Sequence, residues 1–262
     1  VGRRLWVAAI LVGLLAVVTA VAAPLVLDRW RGDATSSADA HLSDQCREVP
    51  TSASRVTLTA ADGRRLGAAS VGDADATTTV VVRHGASQTL CNWLDWAEEV
   101  ADEQGVRVLL FDRRGEGSSP GDPGLASEPD DLVAAVTLAR QEGAEEIVLV
   151  ASSMGNSVAF SALPALEAEG QPVCAVISIS PVLASGPLDA RSPAPLPATT
   201  WVTWESRNTG IAGTAEQLLA DAEHQGVRSR SLPVETDDHS LALVKNHDEV
   251  RSFVAEGVGS CA

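Results

Sequence analysis

The sequence has no tyrosine, three phenylalanines, one methionine and one lysine, Lys245. The absent tyrosine and the single lysine are read as compositional bias rather than functional design, and they exclude nothing by themselves. The shortage of cations excludes more. Lysines and arginines number 19 against 35 aspartates and glutamates, for a formal net charge of −16, and a field of that sign repels nucleic acid and anionic membrane surfaces. Neither is expected as a partner. No internal repeat is visible. No two of the four cysteines, Cys46, Cys91, Cys174 and Cys261, stand close enough in sequence for a zinc clamp.

Charge is also missing from Leu5 to Leu27, an almost wholly aliphatic stretch long enough to cross a bilayer core at about 1.5 Å per residue. Arg3 and Arg4 precede it, as they would a signal peptide or a signal anchor. Ala20 and Ala22 offer a cleavage site before Ala23. The preferred reading is an uncleaved anchor over residues 1–30, because the run exceeds a signal-peptide core and Trp6 and Trp30 flank it as interfacial residues would. Both fates place the rest of the chain outside the cytoplasm, although Arg29 and Arg31 on the far side weaken the charge argument. Residues 31–50, without periodicity, read as a tether, and 51–262 as one folded domain.

An even number of cysteines in a chain facing an oxidising compartment suggests disulfides. Three pairings are possible and the sequence does not choose among them. The preferred one joins Cys46 to Cys91 and Cys174 to Cys261; the alternative is four unpaired small hydrophobes.

Arg55 to Thr59 and Leu66 to Val71, joined by Asp62-Gly63, read as a hairpin. Thr78 to Arg83, Val106 to Phe111, Ile147 to Val150, Val173 to Ile179, Thr200 to Trp204 and Val227 to Leu232 read as further strands, the continuous aliphatic ones buried on both faces. Helices are predicted from about Trp93 to Gly105, from an N-cap at Ser127 to Gln141, from about Gly155, from Thr214 to Gln225 and from Leu241 to Val254. A hairpin followed by strict strand-helix alternation predicts an α/β protein with a mostly parallel sheet covered on both faces.

The fifth strand runs into Ala151-Ser152-Ser153-Met154-Gly155 and then a helix. This is the layout of a nucleophile elbow, in which a serine is exposed on a tight strand-to-helix turn between small residues. The usual pattern has glycine two places before the serine; Ala151 departs from it by one methyl. His84-Gly85-Ala86 follows the third strand, Phe111-Asp112-Arg113-Arg114-Gly115-Glu116-Gly117-Ser118-Ser119 the fourth, and Asp237-Asp238-His239-Ser240 the last.

Elements and motifs in this order resemble the α/β-hydrolase fold family over about Arg55 to the C-terminus. The resemblance implies Ser153 as nucleophile and His239 as base. It also implies an oxyanion hole from the N–H groups of Ala86 and Met154, a structural role for His84, and a supporting role for the nonapeptide. The chemistry is consistent: a serine hydroxyl needs a base as it attacks, and an imidazole with an unperturbed pKa of about 6.5 suits that work. His41, His224 and His247 are placed better in solvent-exposed roles. A metal site of Asp237, His239 and His247 is not favoured, and no metal or cofactor is expected.

The acid is less plain. Similar proteins carry it in a segment after the seventh strand that here reads Trp204-Glu205-Ser206-Arg207-Asn208, with Asn208 in the acid's place. Three readings stay open: Asn208 orients the histidine without a charge, a neighbouring carboxylate substitutes (Glu205 first, then Asp237 or Asp238), or catalysis is lost. The expectation is an extracytoplasmic serine hydrolase acting on carboxylic esters or related small-molecule acyl substrates. Its rivals are an amidase or peptidase with the same machinery and a non-catalytic, membrane-anchored binding module. Pro181 to Pro197 is short where many relatives insert a cap, which implies an open site.

Overall fold

A computed structural model describes residues 38–183 and 195–261. The apolar stretch read as an anchor, and most of the Pro181 to Pro197 segment, lie outside them. Among the described residues no helix is long and apolar enough to cross a membrane.

Eight strands form one sheet: β1 (Ala53–Thr59), β2 (Arg65–Gly72), β3 (Thr78–Arg83), β4 (Arg107–Phe111), β5 (Glu146–Ser152), β6 (Ala175–Ile179), β7 (Thr199–Glu205) and β8 (Arg228–Val234). Their spatial order is β1-β2-β4-β3-β5-β6-β7-β8. The first two strands pair antiparallel, β2 joins β4 antiparallel, and every later pairing is parallel. The helices are α1 (Leu42–Gln45), α2 (Leu90–Gln104), α3 (Glu128–Gln141), α4 (Gly155–Ala168), α5 (Thr209–His224), α6 (Leu241–Asn246) and α7 (Asp248–Gly259).

The aliphatic runs form strands because both sheet faces are covered. Side chains alternate across a strand, so Val80 and Val82 of β3 enter one core with Trp93, Val100 and Val254, while Val81 enters the other with Leu132, Leu149 and Leu163. Each fully buried aliphatic side chain contributes about 1.5–3 kcal/mol.

The structure corrects four local expectations. From Ala38 on, the stretch read as a tether packs onto the domain: Leu42 is buried, Arg55 binds Ala40 O at 2.8 Å, and Gln45 reaches Asp112 at 2.6 Å. Helix α5 starts five residues earlier than Thr214, at Thr209, because Asn208 caps it. Ser127 precedes α3 without capping it, its hydroxyl donating to Gly124 O instead. The final helix is broken at His247, whose extended backbone (φ −129°, ψ 107°) separates α6 from α7. Disulfides join Cys46 to Cys91 and Cys174 to Cys261, the preferred pairing.

Candidate active site

Strand β5 ends at Ser152 and α4 starts at Gly155, so Ser153 and Met154 make the turn between them. Ser153 has φ +53°, a left-handed backbone that costs a residue with a β-carbon roughly 1–2 kcal/mol. Its N–H donates to Ile179 O at 2.9 Å, which pins the turn to the end of β6. The demand for a small residue two places on is steric: a Cβ on Gly155 would lie 2.2 Å from Arg83 O and 2.9 Å from His84 O. On the other side of the serine, the methyl of Ala151 is buried without exposure.

Ser153 Oγ lies 2.8 Å from His239 Nε2, and His239 Nδ1 lies 2.6 Å from Glu205 Oε1. Glu205 is the last residue of β7 and His239 sits in the loop between β8 and α6. Three strand ends at the carboxyl edge of the parallel sheet thus bring the three side chains into one line. Glu205 is 1% exposed. Burial, the largest influence on it, raises its pKa, but hydrogen bonds from His239 and Ser180 outweigh burial and hold the carboxyl below its ordinary value. An ionised carboxylate only accepts, so Nδ1 carries the ring proton and Nε2 is left to accept from the serine hydroxyl. Such a line can take a proton from the hydroxyl and stabilise the imidazolium that results.

Asn208 is not brought to the histidine. Its side-chain oxygen accepts from the N–H groups of Gly210 (3.2 Å) and Ile211 (3.3 Å), capping α5. Of the other carboxylates weighed for the role, Asp237 pairs with Arg207 at 3.4 Å. Asp238 accepts from Asn246 and His247, both at 3.0 Å. His41 precedes α1 and His224 closes α5. Among the described residues no group of histidine, cysteine, aspartate or glutamate side chains could hold a metal ion.

The loop carrying Ala86 lies against the elbow. A Cβ on Gly85 would stand 3.0 Å from Ser153 Cβ and 3.3 Å from Ser152 O. The N–H groups of Ala86 and Met154 donate to no acceptor among the described residues, and Ala86 is exposed. His84, behind them, is buried; its Nδ1 meets Gly85 O at 2.9 Å. Burial first, then the charge of Arg83, pushes its pKa down to about 3, so its ring stays neutral.

The nonapeptide after β4 braces this loop. Asp112 accepts from Leu90 N, the first residue of α2, and from Ser118 N, both at 2.8 Å. Arg113 and the fully buried Arg83 both bind Glu128 of α3, and Arg114 grips Asp131 through two bonds of 2.8 and 2.6 Å. Sequence reasoning missed a second set of residues beside the line: Gln88, Ser152, Ser180 and Ser240, linked by hydrogen bonds. Single polar residues carry no periodic signal. The backbone marks two of them: Ser180 and Ser240 are, with Ser87 and Ser153, the non-glycine residues of positive φ among those described, and such strain gathers at functional sites.

A family model described as serine aminopeptidase, S33, matches residues 74–240. The protein YfhR of Escherichia coli O157:H7, itself described as uncharacterized, is 32% identical over 132 residues, covering 46% of this chain and 45% of YfhR. The match therefore spans less than half of that relative. An esterase from Pyrobaculum calidifontis superposes with a TM-score of 0.65 at 16% identity, over 88% of this chain and 92% of the esterase. XC6422 from Xanthomonas campestris, described as an α/β serine hydrolase without a lid, superposes with a TM-score of 0.62 at 23% identity, over 80% of this chain and 94% of that one. At such identities the likeness shows the fold, which is the α/β-hydrolase fold.

Proposed function

The chain belongs to the family described as serine aminopeptidase S33, and on that premise we propose that it is a serine hydrolase cleaving carboxylic esters or related small-molecule acyl substrates through an acyl-enzyme on Ser153. The observation that carries the reading is the line Ser153–His239–Glu205, with contacts of 2.8 and 2.6 Å. Ser153 Oγ attacks the acyl carbon while its proton passes to His239 Nε2, and Glu205 stabilises the imidazolium. The N–H groups of Ala86 and Met154 bind the oxyanion; a donor of this kind is worth about 10²–10³ in rate. Collapse expels the alcohol, which takes the proton from His239. Water then attacks the acyl-serine, giving its proton to the same nitrogen; collapse breaks the bond to Ser153 Oγ, which takes that proton back as the carboxylic acid leaves.

Two disulfides support a location in an oxidising compartment, and the stretch Leu5 to Leu27 supports export by an anchor or a cleaved signal. Sequencing the mature N-terminus tests this: a start at Ala23 removes the anchor. The family's description favours one second reading, an amidase or peptidase with the same residues. The non-catalytic module rests on Asn208 standing for the acid and on Ala151 in place of the usual glycine, whereas Asn208 is a helix cap and Ala151 is buried beside an elbow that still presents Ser153 to His239.

The test is turnover of p-nitrophenyl esters of short acids beside aminoacyl p-nitroanilides. Ester turnover abolished by Ser153→Ala supports the proposal. Turnover of the anilides alone favours the peptidase, and turnover of neither by folded protein removes both.

A further inference from the structure

Ser180 follows β6, next to the end of β7 that carries Glu205. It is fully buried, and its backbone has φ +47°. Its N–H donates to Thr203 O at 2.8 Å, continuing the ladder between β6 and β7 one residue past the strand. The left-handed turn directs the hydroxyl to Glu205 Oε2, 2.7 Å away. Ser180 Oγ also accepts the N–H of Ser240, the residue after His239, at 2.9 Å.

A hydroxyl has one proton to give and lone pairs that accept. The carboxylate of Glu205 can only accept and the backbone N–H of Ser240 can only donate, so a single buried hydroxyl oxygen joins them where a group that only donates or only accepts would satisfy one and repel the other. Both Glu205 oxygens are then engaged, Oε1 by His239 Nδ1 and Oε2 by Ser180. The peptide carrying the imidazole is fixed to the same carboxylate. Ser240 in turn shares its hydroxyl with Ser152 Oγ (2.6 Å) and Gln88 Nε2 (3.0 Å), which extends the tie to the elbow and to the loop of Ala86.

From this geometry we infer that Ser180 is a positioning residue: it turns Glu205 toward His239 and pins the backbone after the histidine, so that acid and base keep one alignment. The inference deepens the hydrolase reading and rests on it where turnover is the readout. Without the hydroxyl, Oε2 loses a donor while still buried, which makes the carboxylate easier to protonate. Acid and base then separate at a higher pH.

The experiment compares the full chain with Ser180→Ala, Ser180→Cys and Ser153→Ala. Proton NMR reads the far-downfield resonance of the His239 Nδ1 proton, and the pH profile of ester kcat/KM is recorded alongside. The resonance is expected in the parent and in Ser153→Ala, and is expected to broaden or vanish in Ser180→Ala. In that variant kcat should fall about tenfold, with KM within twofold and the acid limb of the profile moved to higher pH. Ser180→Cys, with a weaker donor of similar size, should fall between, and it carries the test if the alanine variant does not fold. A purely structural role would lower the folded fraction without moving the resonance or the limb. An unchanged resonance and limb in folded Ser180 variants overturns the inference, as does a parent with no such resonance. A parent that shows the resonance, loses it in Ser180→Ala and yet cleaves no ester refutes the activity while supporting the positioning role.

Discussion

Glu205 Oε1 and His239 Nδ1 lie 2.6 Å apart across 34 residues of sequence. The carboxylate stands on the last residue of a strand rather than in the loop beyond it, and it meets the ring without help from Asn208. Glu205→Gln is therefore expected to lower kcat by roughly 10³- to 10⁴-fold, the scale seen when a triad carboxylate becomes an amide. Asn208→Asp should change it less than twofold, since aspartate caps a helix as well as asparagine does. Steady-state kinetics on the two variants check this; a rise in activity with Asn208→Asp would return the acid's role to that position.

The close pass of α4 over the end of β3 gives a steric prediction. Gly155→Ala places a methyl 2.2 Å from Arg83 O, and backbone has little room to yield, so about 1–3 kcal/mol of stability should be lost. Ala151→Gly removes a buried methyl and should cost about 1 kcal/mol while leaving the serine in place. Urea unfolding of both variants measures the asymmetry.

His84 links stability to pH. Its folded pKa of about 3 lies below the ordinary value of 6.5, so the unfolded chain takes up a proton that the folded chain refuses. The contribution is full above about pH 6.5 and is lost as pH falls from there toward 3. Between pH 7 and pH 5 that single proton costs about 2 kcal/mol. Glu205, with its pKa depressed in the fold, adds a loss that begins only as pH falls through the ordinary carboxylate value and continues down to its folded one. His84→Gln should flatten the first of these slopes in unfolding measured at both pH values, and an unaltered slope would show that the ring is not held neutral.

The disulfides close stretches of 45 and 87 residues. Loop-closure entropy assigns the first about 4 kcal/mol and the second about 4.6 kcal/mol. Denatured, unreduced protein should show no free thiol, and reduction should lower the urea midpoint sharply. Removing Cys174 and Cys261 together should cost at least as much as removing the other pair.

Strands and motifs were legible because they are written locally. Five aliphatic residues from Ile147 precede Ser152, and His84-Gly85 follows Val80-Val81-Val82; such runs and turns need no partner to be recognised. The meeting of Ser153 and His239 follows from strand ends at a sheet edge, which the order of elements implies; the acid was not legible, because Glu205 and Asn208 stand three residues apart in one segment and only the fold turns Glu205 to the ring and Asn208 to the helix. The start of α5 was not legible, because Gly210 and Gly213 weaken the helix signal of its first turn, and only Asn208's cap bonds reveal it. Nor was the break at His247, whose imidazole meets Asp238, nine residues back, at 3.0 Å. The buried Arg83–Glu128–Arg113 cluster and the Ser180 bridge join residues far apart in sequence, and single charges or hydroxyls read locally as surface.

The central claim is that Ser153 is a nucleophile activated by His239. A fluorophosphonate reacts only with such a serine, so intact-mass measurement after incubation tests the claim most directly. One equivalent should add to the full chain, on the peptide containing Ser153, with no addition to Ser153→Ala and at least a hundredfold slower addition to His239→Ala. A correctly folded chain that gains no mass, or that gains it equally in Ser153→Ala, would contradict the account.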